Sequence, residues 1–289
     1  MEALRLKKSV FSVKVTIIVF WIIFLFFAIV NVFPICWSFI NSMKTGSEYF
    51  DDSMSLPTVW RFENYIKVFT EFKYRKFMYM DMLFNSVWML VVRVFVNVTS
   101  SALLAYALAK YRFPGRNLIY TVVIIANTIP IIGTGSAAFR LMKALDMINN
   151  PSTIWLAWAG GFDFAFIILF GNFNGISAAY SEAARIDGAN EFFILFKVIL
   201  PQAAPCIIAI AIQQAIGVWN DYETVMIYMR NYPNLAYGLY LFNTNSNYVE
   251  DSRPIYFCAA IISCIPVIFL YAISQNLILT NVTAGGLKG

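Results

Sequence analysis

The sequence predicts an all-α, polytopic membrane protein with about six transmembrane helices. Three observations carry that prediction. The 289-residue chain is 60% hydrophobic and 13% charged, whereas a soluble domain carries roughly 25% charged residues. Its apolar residues gather into runs near the roughly 20 residues that a spanning helix needs, at about 15–40, 82–109, 117–141, 152–176, 202–228 and 255–280. An isolated segment in hydrocarbon has to satisfy its own backbone hydrogen bonds, and a helix does so.

The first run follows Arg5, Lys7, Lys8 and Lys14. It exceeds the roughly 7–15 apolar residues of a cleavable signal peptide, so it reads as an uncleaved first span. The basic residues before it place segment 1–14 in the cytoplasm. The next connection, 41–81, is then external. Trp60, Phe62, Tyr65, Ile66 and Phe69 recur there at roughly helical spacing between charges, which predicts a helix lying along the membrane surface. The second run ends in Lys110-Tyr111-Arg112-Phe113-Pro114-Gly115-Arg116, a short basic loop that fits the cytoplasmic side. The third contains Pro130 followed by Gly133, Gly135 and Ser136, residues that permit a kink and close helix packing. The fourth and fifth enclose a polar island at 177–201. The sixth returns the tail, 281–289, to the cytoplasm. The whole of 1–289 reads as one transmembrane domain.

Composition also excludes. The chain has no histidine, so His metal sites, His-based catalytic pairs and His proton relays are absent. Its four cysteines, Cys36, Cys206, Cys258 and Cys264, lie in or beside apolar runs without CxxC spacing, as small packing residues do. The net charge of +5 forms no basic stripe with interleaved aromatics, so no nucleic-acid partner is expected. No Gly-x-x-x-x-Gly-Lys-[Ser/Thr] run occurs, so the chain itself holds no nucleotide. No catalytic or metal-binding constellation stands out, and the chain is expected not to be an enzyme. Arg93 and Asp163 are the charges deepest in the predicted spans. An unpaired charge there costs at least about 2.5–3.5 kcal/mol, which predicts that both face the bundle interior and pair with one another.

The polar island is the most specific feature. Glu182-Ala183-Ala184-Arg185-Ile186-Asp187-Gly188 is followed, thirteen residues after the glycine, by Pro201. Glu182, Ala183 and Ala184 favour a helix. Gly188 permits a sharp turn through positive φ. Pro201 suits the first turn of the next helix. Glu182 and Arg185, three apart, are placed to pair along one face. This constellation resembles the cytoplasmic signature loop of ABC importer permease subunits. Three further stretches resemble the carbohydrate branch, maltose-type and multiple-sugar-type, and its shorter permease: Ala105 to Arg116, Trp219-Asn220-Asp221, and the closing Ala284-Gly285-Gly286-Leu287-Lys288-Gly289. The usual proline before the motif is missing here; the lead-in is Ile176-Ser177-Ala178-Ala179-Tyr180.

That resemblance implies a type I ABC importer permease fold with both termini cytoplasmic, in a bacterial or archaeal plasma membrane. It implies a second permease, two ATPase subunits that hold ATP and magnesium, an extracellular solute-binding protein and a sugar or oligosaccharide substrate. Glu182, Ala183, Ala184, Arg185, Asp187 and Gly188 would couple to the ATPase, and Gly286, Lys288 and Gly289 would reach it from the tail. Tyr232, Asn234, Asn245 and Asn247 would meet the binding protein. Polar residues inside spans usually face the interior, which marks Asn127, Asp163, Gln213, Gln214 and Asn220, with Trp158 and Trp219 as stacking surfaces, for a substrate pathway. Helix–helix hydrogen bonding is the alternative reading of the same residues. A permease for another solute, such as a glycerol-phosphate compound, and a secondary transporter are the rival functions. The second lacks buried acids and gives the island no purpose.

Overall fold

In the computed structural model, which describes residues 2–129, 133–244 and 252–285, nearly all regular structure is helical. Helices α1 (Glu2–Ser42), α2 (Gly46–Asp51) and α3 (Glu63–Glu71) are followed by a two-stranded antiparallel ribbon, β1 (Lys73–Tyr74) and β2 (Phe77–Met78). Then come α4 (Tyr79–Lys110), α5 (Arg116–Thr128), α6 (Gly135–Ala144), α7 (Ile154–Trp158), α8 (Phe164–Gly175) and α9 (Ala178–Ile186). The short α10 (Glu191–Phe193) runs through a π-helical turn, Ile194–Ile199, into α11 (Leu200–Asn220). Helices α12 (Glu223–Tyr228), α13 (Leu235–Thr244) and α14 (Ser252–Gly285) complete the chain.

Among the described residues, four helices are long and apolar enough to cross a bilayer: Val13–Ser42, Tyr79–Lys110, Glu191–Asn220 and Ser252–Gln275. Helices α8 and α9, bent by 64° at their junction, make a fifth if taken as one broken span. The expectation of unbroken helices over 117–141 and 152–176 is corrected. The first stops when Ile129 turns extended and Gly133 takes φ +92°, and α6 starts afresh at Gly135. In the second, Gly160 and Gly161 separate α7 from α8, and the Asp163 carboxylate caps the new N-terminus by accepting from the Phe166 N–H at 3.0 Å. The run at 202–228 likewise breaks at Asp221, whose carboxylate accepts from the Thr224 N–H at 2.9 Å. Polar caps cut helices that hydropathy alone leaves continuous.

The chain divides into two compact units, Met1–Phe72 with Phe242–Ile262, and Lys73–Leu241 with Ser263–Gly289. In the first, every side chain from Val13 to Cys36 is exposed, and the stretch is long and apolar enough to cross a bilayer. The end of this helix is tied down. Lys44 is buried, its Nζ donating to the Asp52 carbonyl at 2.8 Å and Ser55 Oγ at 3.3 Å. The Asn64 amide donates to the carbonyls of Ser42 and Lys44, each at 2.9 Å. The stretch read from the sequence as a surface helix forms α3 and its N-cap Phe62, with Phe62, Ile66 and Phe69 exposed.

Thr45 and Glu48 form a capping box at α2, and Glu48 also accepts from the hydroxyl and N–H of Thr58. The hydrogen bonds from Thr58 and then Thr45 lower the Glu48 pKa from 4.5 to about 2. A carboxyl lowered on folding stabilises the fold above its unfolded pKa, and that contribution is lost as pH falls through the folded value. Hydrogen-exchange protection over residues 45–58, measured relative to the intrinsic rate at each pH, is therefore expected to fall between pH 4.5 and 2, and Glu48→Gln to flatten that dependence. An unchanged profile in the variant would refute the assignment.

In the second unit, α4 is the centre. Ser101, Ala102, Ala105 and Ala109 give it a small-residue face, buried against Phe166, Leu169 and Phe173 of α8 and Ala203 and Ile210 of α11. Small side chains let the backbones approach and dispersion do the packing. A second apolar cluster joins Met89 of α4, Trp158 of α7, Val225 of α12 and Tyr237 of α13.

Candidate functional site

The polar island folds as two helices joined by a rigid corner. Ser177 Oγ caps α9 by accepting from the Ala179 N–H at 3.3 Å. The far end closes in a Schellman motif: the Gly188 N–H donates to the Arg185 carbonyl at 3.0 Å and the Ala189 N–H to the Ala184 carbonyl at 2.9 Å. Gly188 takes φ +82°, the left-handed geometry this motif needs. Asn190 Oδ1 then caps the following helix from the Phe193 N–H at 2.8 Å.

One expected pair is corrected. Arg185 does not bond Glu182 but forks onto Glu191, Nε to Oε1 at 2.9 Å and Nη2 to Oε2 at 3.2 Å. The corner brings Glu191 back within reach, and a bidentate fork fixes both direction and distance. Tyr111 Oη donates to Glu191 Oε2 at 3.0 Å, so the fork is also braced by the loop after α4. Burial, and then the bond to Glu191, push the Tyr111 phenol well above its ordinary pKa, which keeps it a donor. Lys110 Nζ donates to the Ile176 carbonyl at 2.7 Å and holds the start of the island.

This leaves Glu182, Ala183, Asp187 and Gly188 exposed, and Glu182 enters no ion pair among the described residues. Ala184 is half-buried at the base. Ile186 is 87% and Phe192 75% exposed, large apolar contacts beside a carboxylate. A concavity of about 630 Å³ opens between Tyr180, Ala183, Asp187, Gly188 and Phe193.

A second cluster lies where α4, α8 and α11 meet. Asp163 Oδ2 accepts from Asn97 Nδ2 and Oδ1 from Ser101 Oγ, each at 3.0 Å. Asn97 Oδ1 accepts from Gln214 Nε2 at 2.5 Å. A Cβ on Gly160 would collide with Asn97 Nδ2 and stand 2.9 Å from Ser101 Oγ, so the backbone is packed directly on this network. Beside it opens a cavity of about 230 Å³ lined by Asp163, Gln213 and Gln214 with Phe164, Ile168 and Ile210. The expected Arg93–Asp163 pair is not formed. Arg93 Nη1 bonds Asp221 Oδ2 at 2.5 Å, and Asp163 accepts from neutral donors instead.

Residues 97–283 match the family described as the binding-protein-dependent transport system inner membrane component. The chain belongs to that family. Among the relatives of this transport component are the diacetylchitobiose uptake system permease protein NgcG of Streptomyces coelicolor, 29% identical over 89% of this chain and 84% of that one, and the arabinooligosaccharides transport system permease protein AraQ of Halalkalibacterium halodurans, 28% identical over 96% and 99%. A crystal structure of a bacterial ABC transporter involved in the import of the acidic polysaccharide alginate aligns with a TM-score of 0.78 and 26% identity, over 92% of this chain and 97% of that chain. The family reading drawn from the 182–188 motif and the three further stretches is thereby established, and the chain is a multi-pass membrane protein.

The remaining residues marked in this transport component fall in different places. Asn127 donates to the Val123 carbonyl at 2.9 Å and the Phe162 carbonyl at 2.8 Å, joining α5 to the loop before α8. Trp158 and Trp219 are buried away from the cavity, Trp158 against Trp88 and Trp219 with its indole N–H on the Ser263 carbonyl at 3.0 Å. Asn220 is exposed and bonds the Ile216 carbonyl at 2.9 Å. Tyr232 is half-buried on the second apolar cluster. Asn234 is corrected as an external contact: it is 2% exposed, donating to the Asp221 carbonyl at 3.0 Å and capping Tyr237 at 2.9 Å. Asn245, Asn247, Gly286, Lys288 and Gly289 lie outside the described residues. Sequence reasoning missed Asn97 and Ser101. Their signal is the four-residue spacing of Arg93, Asn97 and Ser101, which lines three polar residues along one face of α4.

Proposed function

We propose that this chain is one of two permease subunits, the shorter type, in an ATP-driven importer of sugars or oligosaccharides from the plasma membrane of a bacterium or archaeon. The observation that carries the proposal is the exposed, braced corner at 177–193. A docking segment has to be rigid to transmit a push and open to receive a partner. The Schellman turn and the Arg185–Glu191–Tyr111 bracing supply the first, and Glu182 with Ile186, Phe192 and the adjoining concavity supply the second. The names of the relatives support a carbohydrate substrate.

In this reading two ATPase subunits, which bind ATP and magnesium, close and press on the corner of each permease. The push enters α9, passes through the Arg185–Glu191 fork to the π-helical turn, and reaches α11. That helix carries Gln213 and Gln214 to the cavity, so the movement changes the site that a solute-binding protein has loaded from outside. Only contacts that differ between two states of the ATPase shift the equilibrium, and the exposed face of α9 is where this chain makes them. The chain itself carries out no covalent chemistry.

The test is co-purification of the tagged subunit with its operon partners, followed by sugar uptake in vesicles. A bound ATPase is expected. Glu182→Lys, which reverses a charge on the exposed face, is expected to lower uptake at least about tenfold while leaving the permease folded. ATPase-free protein under conditions that keep other such complexes intact would overturn the proposal.

A further inference from the structure

The cavity between α8 and α11 has an unusual electrostatic character for a sugar site. Its lining offers one carboxylate, Asp163, and two carboxamides, Gln213 and Gln214, with apolar walls. Among the described residues no cation answers the carboxylate. Arg93, one turn along α4 from Asn97, is committed to Asp221, and no ion pair joins Asp163 among the described residues. Its hydrogen bonds come from neutral donors, the Phe166 N–H and Ser101 Oγ on Oδ1 and Asn97 Nδ2 on Oδ2. Oδ2 thus keeps a lone pair for a further donor. Gln213 is exposed, and Gln214 is fixed by its bond to Asn97.

We propose that Asp163 is a charge filter: its carboxylate accepts hydroxyl protons of a neutral sugar ring and turns away rings that carry a carboxylate. The inference rests on the reading of the chain as a sugar permease and adds the class of sugar. Three features support it. A carboxylate and carboxamides match the donor-rich edge of a neutral pyranose. An anionic ring brought beside this half-buried carboxylate meets like-charge repulsion that the apolar walls of the cavity leave only partly screened. The volume, about 230 Å³, is below the roughly 300–1,000 Å³ of clefts that enclose whole ligands, so it suits one ring of a chain. The fold does not itself impose neutrality, because the alginate transporter of similar architecture is involved in importing an acidic polysaccharide. Selection by charge therefore falls to side chains. Asn97 and Ser101 act as positioning residues: they hold the carboxylate on the cavity wall, and Gly160 leaves them the space.

The experiment uses the purified complex of both permeases and the ATPase in nanodiscs, without the solute-binding protein, so that this protein's own selectivity does not enter. Binding is read by saturation-transfer NMR up to millimolar sugar. The probes are neutral gluco-, galacto- and chito-oligosaccharides and the same chains oxidised to uronates at the terminal C6. Wild type is expected to bind at least one neutral probe about tenfold or more tighter than its uronate form. Asp163→Asn, nearly isosteric and still able to accept from Ser101, is expected to shrink that ratio to about two. Gln213→Ala is expected to weaken both forms and leave the ratio unchanged. A ratio in Asp163→Asn equal to wild type would overturn the filter while leaving the sugar reading intact. Binding of no probe by wild type or variants would overturn both.

Discussion

Gly160→Ala is expected to cost about 2–4 kcal/mol of stability, a large effect for one methyl group. The new Cβ collides with Asn97 Nδ2 and stands 2.8 Å from Asn97 Cγ and 2.9 Å from Ser101 Oγ. Asn97 cannot swing aside freely, because it holds Asp163 on one side and Gln214 on the other. Moving it breaks both bonds, and a hydrogen bond to a charged group is worth roughly 1.5–3 kcal/mol with a neutral one adding about 1. Gly161 is the internal control. A Cβ there meets only Leu104 Cδ1, at 3.5 Å, so Gly161→Ala is expected to change little. The measurement is the inactivation half-life of each variant in detergent at a fixed temperature. Equal losses at the two positions would show that the close approach at Gly160 is not what constrains it.

The second large effect is expected at Arg93. Arg93→Ala leaves the Asp221 carboxylate, whose side chain is 19% exposed, without its cation. Removing one partner of a buried pair costs about 3–5 kcal/mol, and the partial exposure of this pair brings the expected loss to about 2–3. Asp221 also caps α12 through Thr224 and receives Asn234 on its carbonyl, so the damage should spread to the α11–α12 junction. The double variant Arg93→Ala, Asp221→Asn no longer holds an orphaned charge. It is expected to recover at least half of the lost stability in a double-mutant cycle. Strict additivity of the two single variants would rule out a functional ion pair.

These two sites differ in how readable they are from the sequence. The corner at Gly188 is written in adjacent residues: helix formers and then a glycine that permits positive φ. Local backbone chemistry dictates it, and it folds as expected. The Arg185 pairing was misplaced because Glu182 is the near carboxylate by sequence spacing, while the Schellman turn reverses the chain and presents Glu191. Arg93 illustrates the long-range version. Its half-buried place in an apolar helix calls for a carboxylate, and it finds one. Which carboxylate is decided by a contact spanning 128 residues, and no spacing rule reaches so far. The breaks at Gly160 and Asp221 were hidden for another reason. Hydropathy averages over a window, and a single capping aspartate inside an apolar run barely changes the average while it ends a helix. Asn234 failed for the same cause as Arg93: an asparagine in a polar stretch looks solvated until the fold supplies its carbonyl partner.

The exposed first span has a thermodynamic meaning of its own. No side chain from Val13 to Cys36 is buried among the described residues, so this stretch draws no packing energy from its own subunit. Its helicity is maintained by the solvent it is dissolved in, lipid or micelle, and its backbone bonds persist there whether or not the bundle is intact. A melting temperature measured on the isolated subunit therefore reports the packed core, and the two-state description does not extend to the exposed stretch of the first span.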